Sequence, residues 1–159
     1  MRLLGVDPGE RRIGLAISDE GGTIASPVDA LAAGEGQDAA GAVLARAREL
    51  GAEGIVVGMP ITLRGEVGPA ASQVQAFVEE LRSRSSLPVA VCDERLTSAV
   101  AERALREGGM RRRARRKRID QVAAALILQA YLDRQRRSGE GSQDRPGPGD
   151  PSSSPRTEA

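Results

Sequence analysis

The stretch that decides the fold is Leu3-Leu4-Gly5-Val6-Asp7-Pro8-Gly9-Glu10-Arg11-Arg12-Ile13-Gly14-Leu15-Ala16-Ile17-Ser18. The apolar run Leu3-Leu4-Gly5-Val6 indicates a strand over residues 2–7, and the Pro-Gly pair that follows it indicates a turn. A second strand over residues 13–18 places Ile13, Leu15 and Ile17 on one face, because strand side chains alternate. The pattern therefore predicts an antiparallel hairpin whose first strand ends on an acidic side chain.

Further strands alternate with helices along the rest of the chain. The predicted strands are an edge-like third strand over 23–28 that breaks at Pro27, a strand over 55–57 buried on both faces, and a buried strand over 89–92. The predicted helices cover 38–50, 69–84, a segment from Thr97 or Ser98 to Gly108-Gly109, and 119–136. The last helix has the apolar stripe Ile119, Val122, Ala123, Leu126 and Ala130. This order predicts an α/β domain with a mixed five-stranded sheet, three strands antiparallel, flanked by helices. Gly, Pro and Ser dominate from Ser138, which predicts a folded domain over 1–137 and a disordered tail over 138–159.

The composition excludes several kinds of chemistry. The 159 residues include no histidine, which removes Ser-His-Asp and Cys-His nucleophile systems and histidine acid–base catalysis. One Phe, one Tyr and no Trp disfavour binding of single strands on aromatic platforms. Cys92 is the only cysteine, which fits a reducing compartment. We expect a cytoplasmic protein without a membrane partner, because no apolar stretch approaches the roughly 20 residues of a membrane span.

Acidic residues stand where predicted elements end or begin. Asp7 closes the first strand, Asp93 and Glu94 close the last strand, and Asp120 follows the start of the last helix. Carboxylates gathered in a cleft suit Mg²⁺ or Mn²⁺, and two such ions about 3.5–4 Å apart can clamp the attacking and leaving oxygens of a phosphodiester. Turn formation or capping is the competing interpretation of each acid alone. Asp93 and Glu94 face opposite ways in an ideal strand, which leaves open the one that points inward.

A strongly basic segment precedes the last predicted helix. Its positive residues are Arg111, Arg112, Arg113, Arg115, Arg116, Lys117 and Arg118. Alone, such a run predicts a solvated, mobile loop, whereas beside a phosphodiesterase site it predicts phosphate binding. The further candidate contacts to nucleic acid are Arg11, Arg12, Arg64 and Arg95.

Four segments together resemble one known family. Residues 4–16 look like the opening of the ribonuclease-H-like superfamily, and the segments 57–60 with 65–69, 93–98, and 118–124 with 126–129 follow in order. At this order and spacing they resemble the YqgF/RuvX family, described as Holliday junction resolvases and as pre-16S rRNA processing nucleases. The resemblance spans about residues 2–133. Glu10 departs from the family pattern, which commonly has a small or basic residue there.

The resemblance implies a ribonuclease-H-like fold and a role for each acid. Asp7 would anchor the metals on the first strand, Glu94 would be the second ligand, and Asp120 would be the third, delivered by the last helix. The family pattern favours Glu94 over Asp93. The implied cofactor is Mg²⁺ or Mn²⁺, bound as two ions.

The expected function is metal-dependent endonucleolytic hydrolysis of structured nucleic acid, in processing the 5′ end of pre-16S rRNA during ribosome biogenesis. The alternatives are a Holliday junction resolvase acting on four-way DNA junctions, and a non-catalytic ribosome-assembly factor that would not need all three acids. An actin-like phosphotransferase with residues 7–9 around ATP phosphates would need a second lobe, for which 159 residues leave no room. A homodimer remains open.

Overall fold

A computed structural model describes residues 1–60, 68–93 and 112–143, with side chains described only from 122 to 138 in the last range. The elements are the strands β1 (Leu3–Pro8), β2 (Arg12–Ser18) and β3 (Ala25–Ala32), helix α1 (Ala39–Glu49), strand β4 (Gly54–Met59), helix α2 (Pro69–Arg84), strand β5 (Val89–Asp93) and helix α3 (Arg112–Gln143). The predicted helix from Thr97 or Ser98 to Gly108-Gly109 and residues 61–67 of the loop before α2 lie outside the described residues.

The five strands form one mixed sheet in the order β3-β2-β1-β4-β5. Strands β1 and β2, and β2 and β3, pair antiparallel, with Asp7 opposite Gly14. Strands β1 and β4, and β4 and β5, pair parallel, with Val6 opposite Val57. The predicted mixed five-stranded sheet with a hairpin at its start is therefore confirmed.

Alternation along the strands divides the sheet into two faces. One face, here called the α1/α2 face, carries large aliphatic side chains that pack against α1 and α2: Leu4, Val6, Ile13, Leu15, Ile55 and Val57. The other, here called the α3 face, packs Ala16, Val56 and Cys92 against α3. At Gly5 on that face an added Cβ would lie 2.7 Å from the Leu128 Cβ. The glycine therefore lets α3 approach the sheet closely.

Local signals set the ends of α1 and α2 where the sequence predicts them. Asp38 is the N-cap of α1 and its side chain accepts a hydrogen bond from the Gly41 N–H, while Gly51, with a φ of 68°, follows the C-cap. Pro69 begins α2. Arg84 at the end of α2 donates to both Asp38 carboxylate oxygens, at 2.7 and 3.0 Å. This pair ties the end of α2 to the start of α1.

The third strand lies further along the chain than predicted. It covers Ala25–Ala32 rather than 23–28, and Pro27 lies inside it, opposite Ala16. A register shift between Leu15 and Ala16 marks a bulge at this point. Proline is tolerated because β3 is an edge strand, where a missing N–H costs no ladder bond to a second neighbour.

The prediction that the strand over 89–92 is buried is wrong at one residue. Strand β5 is the other edge of the described sheet, and Val91 is 47% exposed. Val89 and Cys92 are buried, on opposite faces. A short apolar run therefore did not distinguish an edge strand from a central one.

Helix α3 corrects three predictions. It begins at Arg112 rather than 119, so the basic segment is helical from Arg112 instead of forming a loop. It continues to Gln143, past the predicted start of the tail at Ser138, and the rest of that tail lies outside the described residues. Its buried residues are Ala123, Ala124, Ile127, Leu128 and Leu132, whereas Ala130 of the predicted stripe is exposed. The run 122–128 is apolar all round, so its sequence did not define the buried side.

Candidate functional site

Asp7 lies near the carboxyl end of β1 and is partly buried. Leu4 and Val6 belong to the α1/α2 face, so alternation places Asp7 with Gly5 on the α3 face. Its neighbour across the antiparallel pair is Gly14 of β2, also buried. Because Gly14 has no side chain, this neighbour does not cover the Asp7 carboxylate.

A second glycine flanks Asp7 on the parallel side. The pairing of Val6 with Val57 leads one residue further to Gly58, which lies between Asp7 and Cys92. Val57 packs on the α1/α2 face, so Gly58 belongs to the α3 face. The local sequence pattern assigns no role to Gly14 or Gly58. Their position beside Asp7 follows from the strand register, which the pattern alone does not give.

The sequence left open whether Asp93 or Glu94 points toward the proposed site. The end of β5 shows the face on which Asp93 lies. Cys92 packs against α3, so Asp93 lies on the opposite, α1/α2 face, in register with buried Met59. Asp93 is therefore not on the face that carries Asp7. Glu94 lies outside the described residues.

Helix α3 crosses the sheet antiparallel to β1. Ala124 lies over Gly5, whereas Leu132 packs near the start of the chain, where Gly22 approaches the Met1 carbonyl oxygen. Moving along β1 toward its carboxyl end therefore means moving toward the N-terminal end of α3.

This direction carries the helix backbone at Asp120 toward the end of β1. Asp120 is a residue of α3 that stands four positions before Ala124, a rise of about 6 Å. Asp7 stands two positions after Gly5, a rise of about 6.6 Å. The backbones of Asp7 and Asp120 thus lie at similar distances from the contact between Gly5 and Ala124, measured along β1. The side chain of Asp120 is outside the described ones.

Gln129 fixes the position of α3 on the sheet. Its side-chain oxygen accepts from the Ala25 N–H at 2.9 Å, and its amide nitrogen donates to the Thr23 carbonyl oxygen at 2.9 Å and to Asp133 at 3.0 Å. These bonds tie the helix to the beginning of β3, an edge strand. Sequence reasoning assigned no role to this residue, since a lone glutamine on a helix carries no local signal of its partner.

The basic candidates divide into described and undescribed positions. Arg11 and Arg12 are exposed and lie in and after the turn that follows Asp7. Arg64, Arg95 and Arg111 lie outside the described residues. The first turns of α3 contain Arg112, Arg113, Arg115, Arg116, Lys117 and Arg118, of which the backbone alone is described.

The charge at the start of α3 opposes its helix dipole. The first turn has no acidic residue, although the N-terminal end of a helix carries a partial positive charge that favours anions. Seven basic residues over 111–118 therefore concentrate positive potential at this end. Polyanions such as nucleic acids are attracted to such a concentration.

The described side chains alone do not complete a metal site. Among them, no group of three or more His, Cys, Asp or Glu residues could hold a metal ion. Asp7 is the described member of the predicted set, and carboxylate oxygen is the donor that Mg²⁺ and Mn²⁺ prefer. Within the described helices, none is both long and apolar enough to cross a membrane.

The sheet order, its covering helices and the acidic end of β1 define the ribonuclease-H-like class of folds. A structure of Thermus thermophilus RuvC in complex with a Holliday junction substrate shares this fold, with a TM-score of 0.52 at 19% identity over 85% of this chain and 96% of that chain.

Sequence comparisons identify the family of this chain. A family model described as "RuvX: Holliday junction resolvase" matches residues 1–134, and the chain belongs to this family. A Chloroflexus aggregans protein is 46% identical over 84% of this chain and 94% of its own length, and a Chloroflexus aurantiacus protein is 44% identical over 91% and 94%. Both relatives carry the name "Putative pre-16S rRNA nuclease". The resemblance drawn from the sequence motifs is confirmed.

Proposed function

We propose that this chain is a divalent-metal-dependent endonuclease that processes structured RNA, with the 5′ end of pre-16S rRNA as its substrate. Membership in the RuvX family and the names of the relatives support this function. The observation that carries it is the position of Asp7 near the carboxyl end of β1, opposite Gly14 near the start of β2 and one residue beyond the Val6–Val57 pair, where β4 continues with Gly58. A carboxylate flanked by glycines leaves open backbone beside it, where a phosphate group can approach closely.

Asp7, Glu94 and Asp120 are the ligands we propose for Mg²⁺ or Mn²⁺. The separation of Asp93 and Asp7 onto opposite faces of the sheet favours Glu94, because it removes Asp93 from the side that carries Asp7. The antiparallel crossing of α3 favours Asp120. These carboxylates would hold a divalent cation, which would lower the pKa of water and neutralise charge on a phosphodiester.

The basic residues near the proposed ligands would bind and orient the substrate. Arg11 and Arg12 adjoin the turn after Asp7, and the basic residues of α3 flank the backbone position of Asp120. Arginine and lysine on phosphates position a nucleic acid without reading its sequence. We therefore propose recognition that depends mainly on the shape and phosphates of the substrate. Gln129 would act as a positioning residue, because it holds α3, and with it Asp120, against the sheet.

Resolution of four-way DNA junctions is a second candidate. The description of the family and the RuvC structure bound to a Holliday junction favour it specifically. The same carboxylates would serve both reactions, because each cleaves a phosphodiester. The two functions differ only in the nucleic acid that the basic residues accept.

The decisive experiment compares substitutions on the two faces of the sheet. Asp7→Asn, Glu94→Gln and Asp120→Asn each remove one anionic ligand while preserving shape, so cleavage should fall by a factor of about 10³ or more. Asp93→Asn is the matched control, and its cleavage should remain within a few-fold of the parent. Each protein is offered a precursor rRNA fragment and a four-way DNA junction, with Mg²⁺ and with Mn²⁺.

Preferential cleavage of the RNA precursor supports rRNA processing, and preferential cleavage of the junction supports the resolvase. Full activity of Asp7→Asn at saturating Mn²⁺ would refute metal-dependent cleavage at this site. Loss of activity in Asp93→Asn with retention in Glu94→Gln would reverse the assignment of the second ligand.

A further inference from the structure

A cavity opens on the side of the β1–β2 turn away from Asp7. Its volume is about 340 Å³, and it lies between that turn, the segment after β3 and the beginning of α2. The residues that the argument needs are Gly9, Glu10, Gly34, Ala70, Gln73 and Phe77. Small-molecule sites commonly have volumes of about 300–1,000 Å³. The cavity is therefore large enough for a nucleobase.

The cavity adjoins the proposed cleavage site without being part of it. Pro8 lines the cavity and directly follows Asp7 in the chain, but it pairs with Ile13 on the α1/α2 face. The Asp7 carboxylate and the cavity thus lie on either side of one strand end. Adjacent Cα atoms are about 3.8 Å apart, so the backbone that lines the cavity begins one residue beyond Asp7.

The lining combines an apolar ring with polar groups at the rim. Phe77, the only phenylalanine of the chain, is partly buried and packs against the core on the α1/α2 face. Gln73 is exposed on the first turns of α2, and its amide can both donate and accept hydrogen bonds. Glu10 supplies a carboxylate that can only accept when ionised. Apolar walls with a few polar groups suit a flat ring with polar edges.

The charge of the lining distinguishes a base from a phosphate. Among the described residues that line the cavity, Glu10 is the charged one, and its carboxylate would repel a phosphate. The same carboxylate accepts hydrogen bonds from ring or amino N–H groups of a base. Arg11 and Arg12, which follow Glu10 in the chain, are available to the flanking phosphates.

We propose that this cavity binds one unpaired nucleobase of the substrate, next to the phosphodiester at Asp7. Phe77 provides the apolar contact for the ring, and Gln73 and Glu10 contact its polar edge. The identity of the substrate rests on the proposed nuclease function. A base in a duplex is stacked and paired, so the site selects an unpaired nucleotide beside the cleaved bond. One phenylalanine suffices for one base, although the chain lacks the aromatic residues for stacking a whole strand.

The test uses a stem–loop RNA with one 2-aminopurine in its loop, bound to the full chain in EDTA so that no cleavage occurs. Insertion of the base should change its fluorescence. Ala70→Leu places a larger side chain in the cavity from an exposed helical position, and should remove this change and weaken binding about tenfold. Gln75→Leu is the matched control, because Gln75 is exposed on the same helix and does not line the cavity.

A second pair of variants removes polar groups without filling the cavity. Gln73→Ala should weaken the fluorescence change and reduce affinity several-fold, whereas Gln75→Ala, which shortens the exposed glutamine outside the lining, should match the parent. Parent-like fluorescence and affinity in both Ala70→Leu and Gln73→Ala would overturn the base site. Retained base binding with no cleavage by the parent in Mg²⁺ or Mn²⁺ would instead count against the proposed nuclease.

Discussion

The two faces of the sheet are built from different residues, although both come from the same strands. The α1/α2 face carries Leu4, Leu15 and Ile55, each almost fully buried under two helices. The α3 face carries Gly5, Asp7 and other small residues under one long helix. Large side chains bury apolar area, while small ones leave room for a helix and a carboxylate. One face therefore supplies most of the stability, and the other provides the space for the site.

The largest stability effect is expected on the α1/α2 face. Leu15 is fully buried in its core, so Leu15→Ala should lower the free energy of unfolding by about 2–5 kcal/mol through reduced burial and a cavity. Val91→Ala at an exposed position should change it by less than about 0.5 kcal/mol. Urea unfolding measures both values. Equal effects would mean that this face is not the main source of stability.

Overpacking on the α3 face should have the next largest effect. A Cβ at Gly5 would lie 2.7 Å from the Leu128 Cβ and 3.1 Å from the Ala124 carbonyl oxygen, so Gly5→Ala should cost about 1–3 kcal/mol. Cleavage should fall as well, because α3 must shift. The matched control is Gly21→Ala, where the nearest atoms are at 3.5 and 3.6 Å. A stable, fully active Gly5→Ala protein would show that the spacing between α3 and the sheet is not critical.

The two ends of α3 should differ in their contribution to nucleic-acid binding. Replacing Arg111, Arg112 and Arg113 with Ala should reduce the slope of log K against log salt by about 0.7–0.9 for each phosphate that the protein no longer neutralises. The control removes three charges at the other end, at Arg134, Arg136 and Arg137. Salt titrations on two unrelated sequences measure both slopes. An unchanged slope in the first variant, or an equal reduction in the control, would contradict this division of α3.

The smallest effect concerns the ion pair that joins α1 and α2. The hydrogen bonds from Arg84 lower the pKa of Asp38 to about 2 from 3.8. Because the pKa is lowered in the folded state, the pair stabilises the protein above about pH 4 and is lost as the pH falls toward 2.

Asp38→Asn retains an N-cap side chain and removes the charge, so its Tm should depend less on pH in that window. Thermal unfolding between pH 5 and 2 checks this, and Arg84→Ala should flatten the curve in the same way. A parent-like pH profile in Asp38→Asn would show that the exposed pair contributes nothing measurable, as for many surface ion pairs.

Local patterns predicted the elements well, but they did not predict relations across the sheet. The hairpin, α1 and α2 follow from alternation, Asp38, Gly51 and Pro69, which act within a few residues. The exposure of Val91 depends on strand order, which a single run does not encode. Likewise the buried side of α3 is selected by Gly5, which is distant in sequence.

The candidate site was predicted in the same partial way. Asp7 and Asp120 were proposed from their positions near predicted element ends and from the family motifs, and their role as ligands stays a prediction. Asp120 lies inside α3 rather than near its start, because the helix begins at Arg112. That start was missed because seven basic residues usually indicate a solvated segment. The glycines beside Asp7 required the strand register. For Asp93, the assignment to the opposite face required knowing that Cys92 packs against α3.

The packing of the C-terminal helix on the N-terminal hairpin has a consequence for synthesis. A ribosome releases β1 and β2 first and α3 last, so the α3 face stays uncovered until almost the whole folded chain has emerged. Asp120 reaches the neighbourhood of Asp7 only by closing a loop of more than one hundred residues. A nascent chain would thus hold only part of the ligand set that we propose while it is still attached to a particle rich in RNA. The order of translation would itself delay assembly of the proposed site.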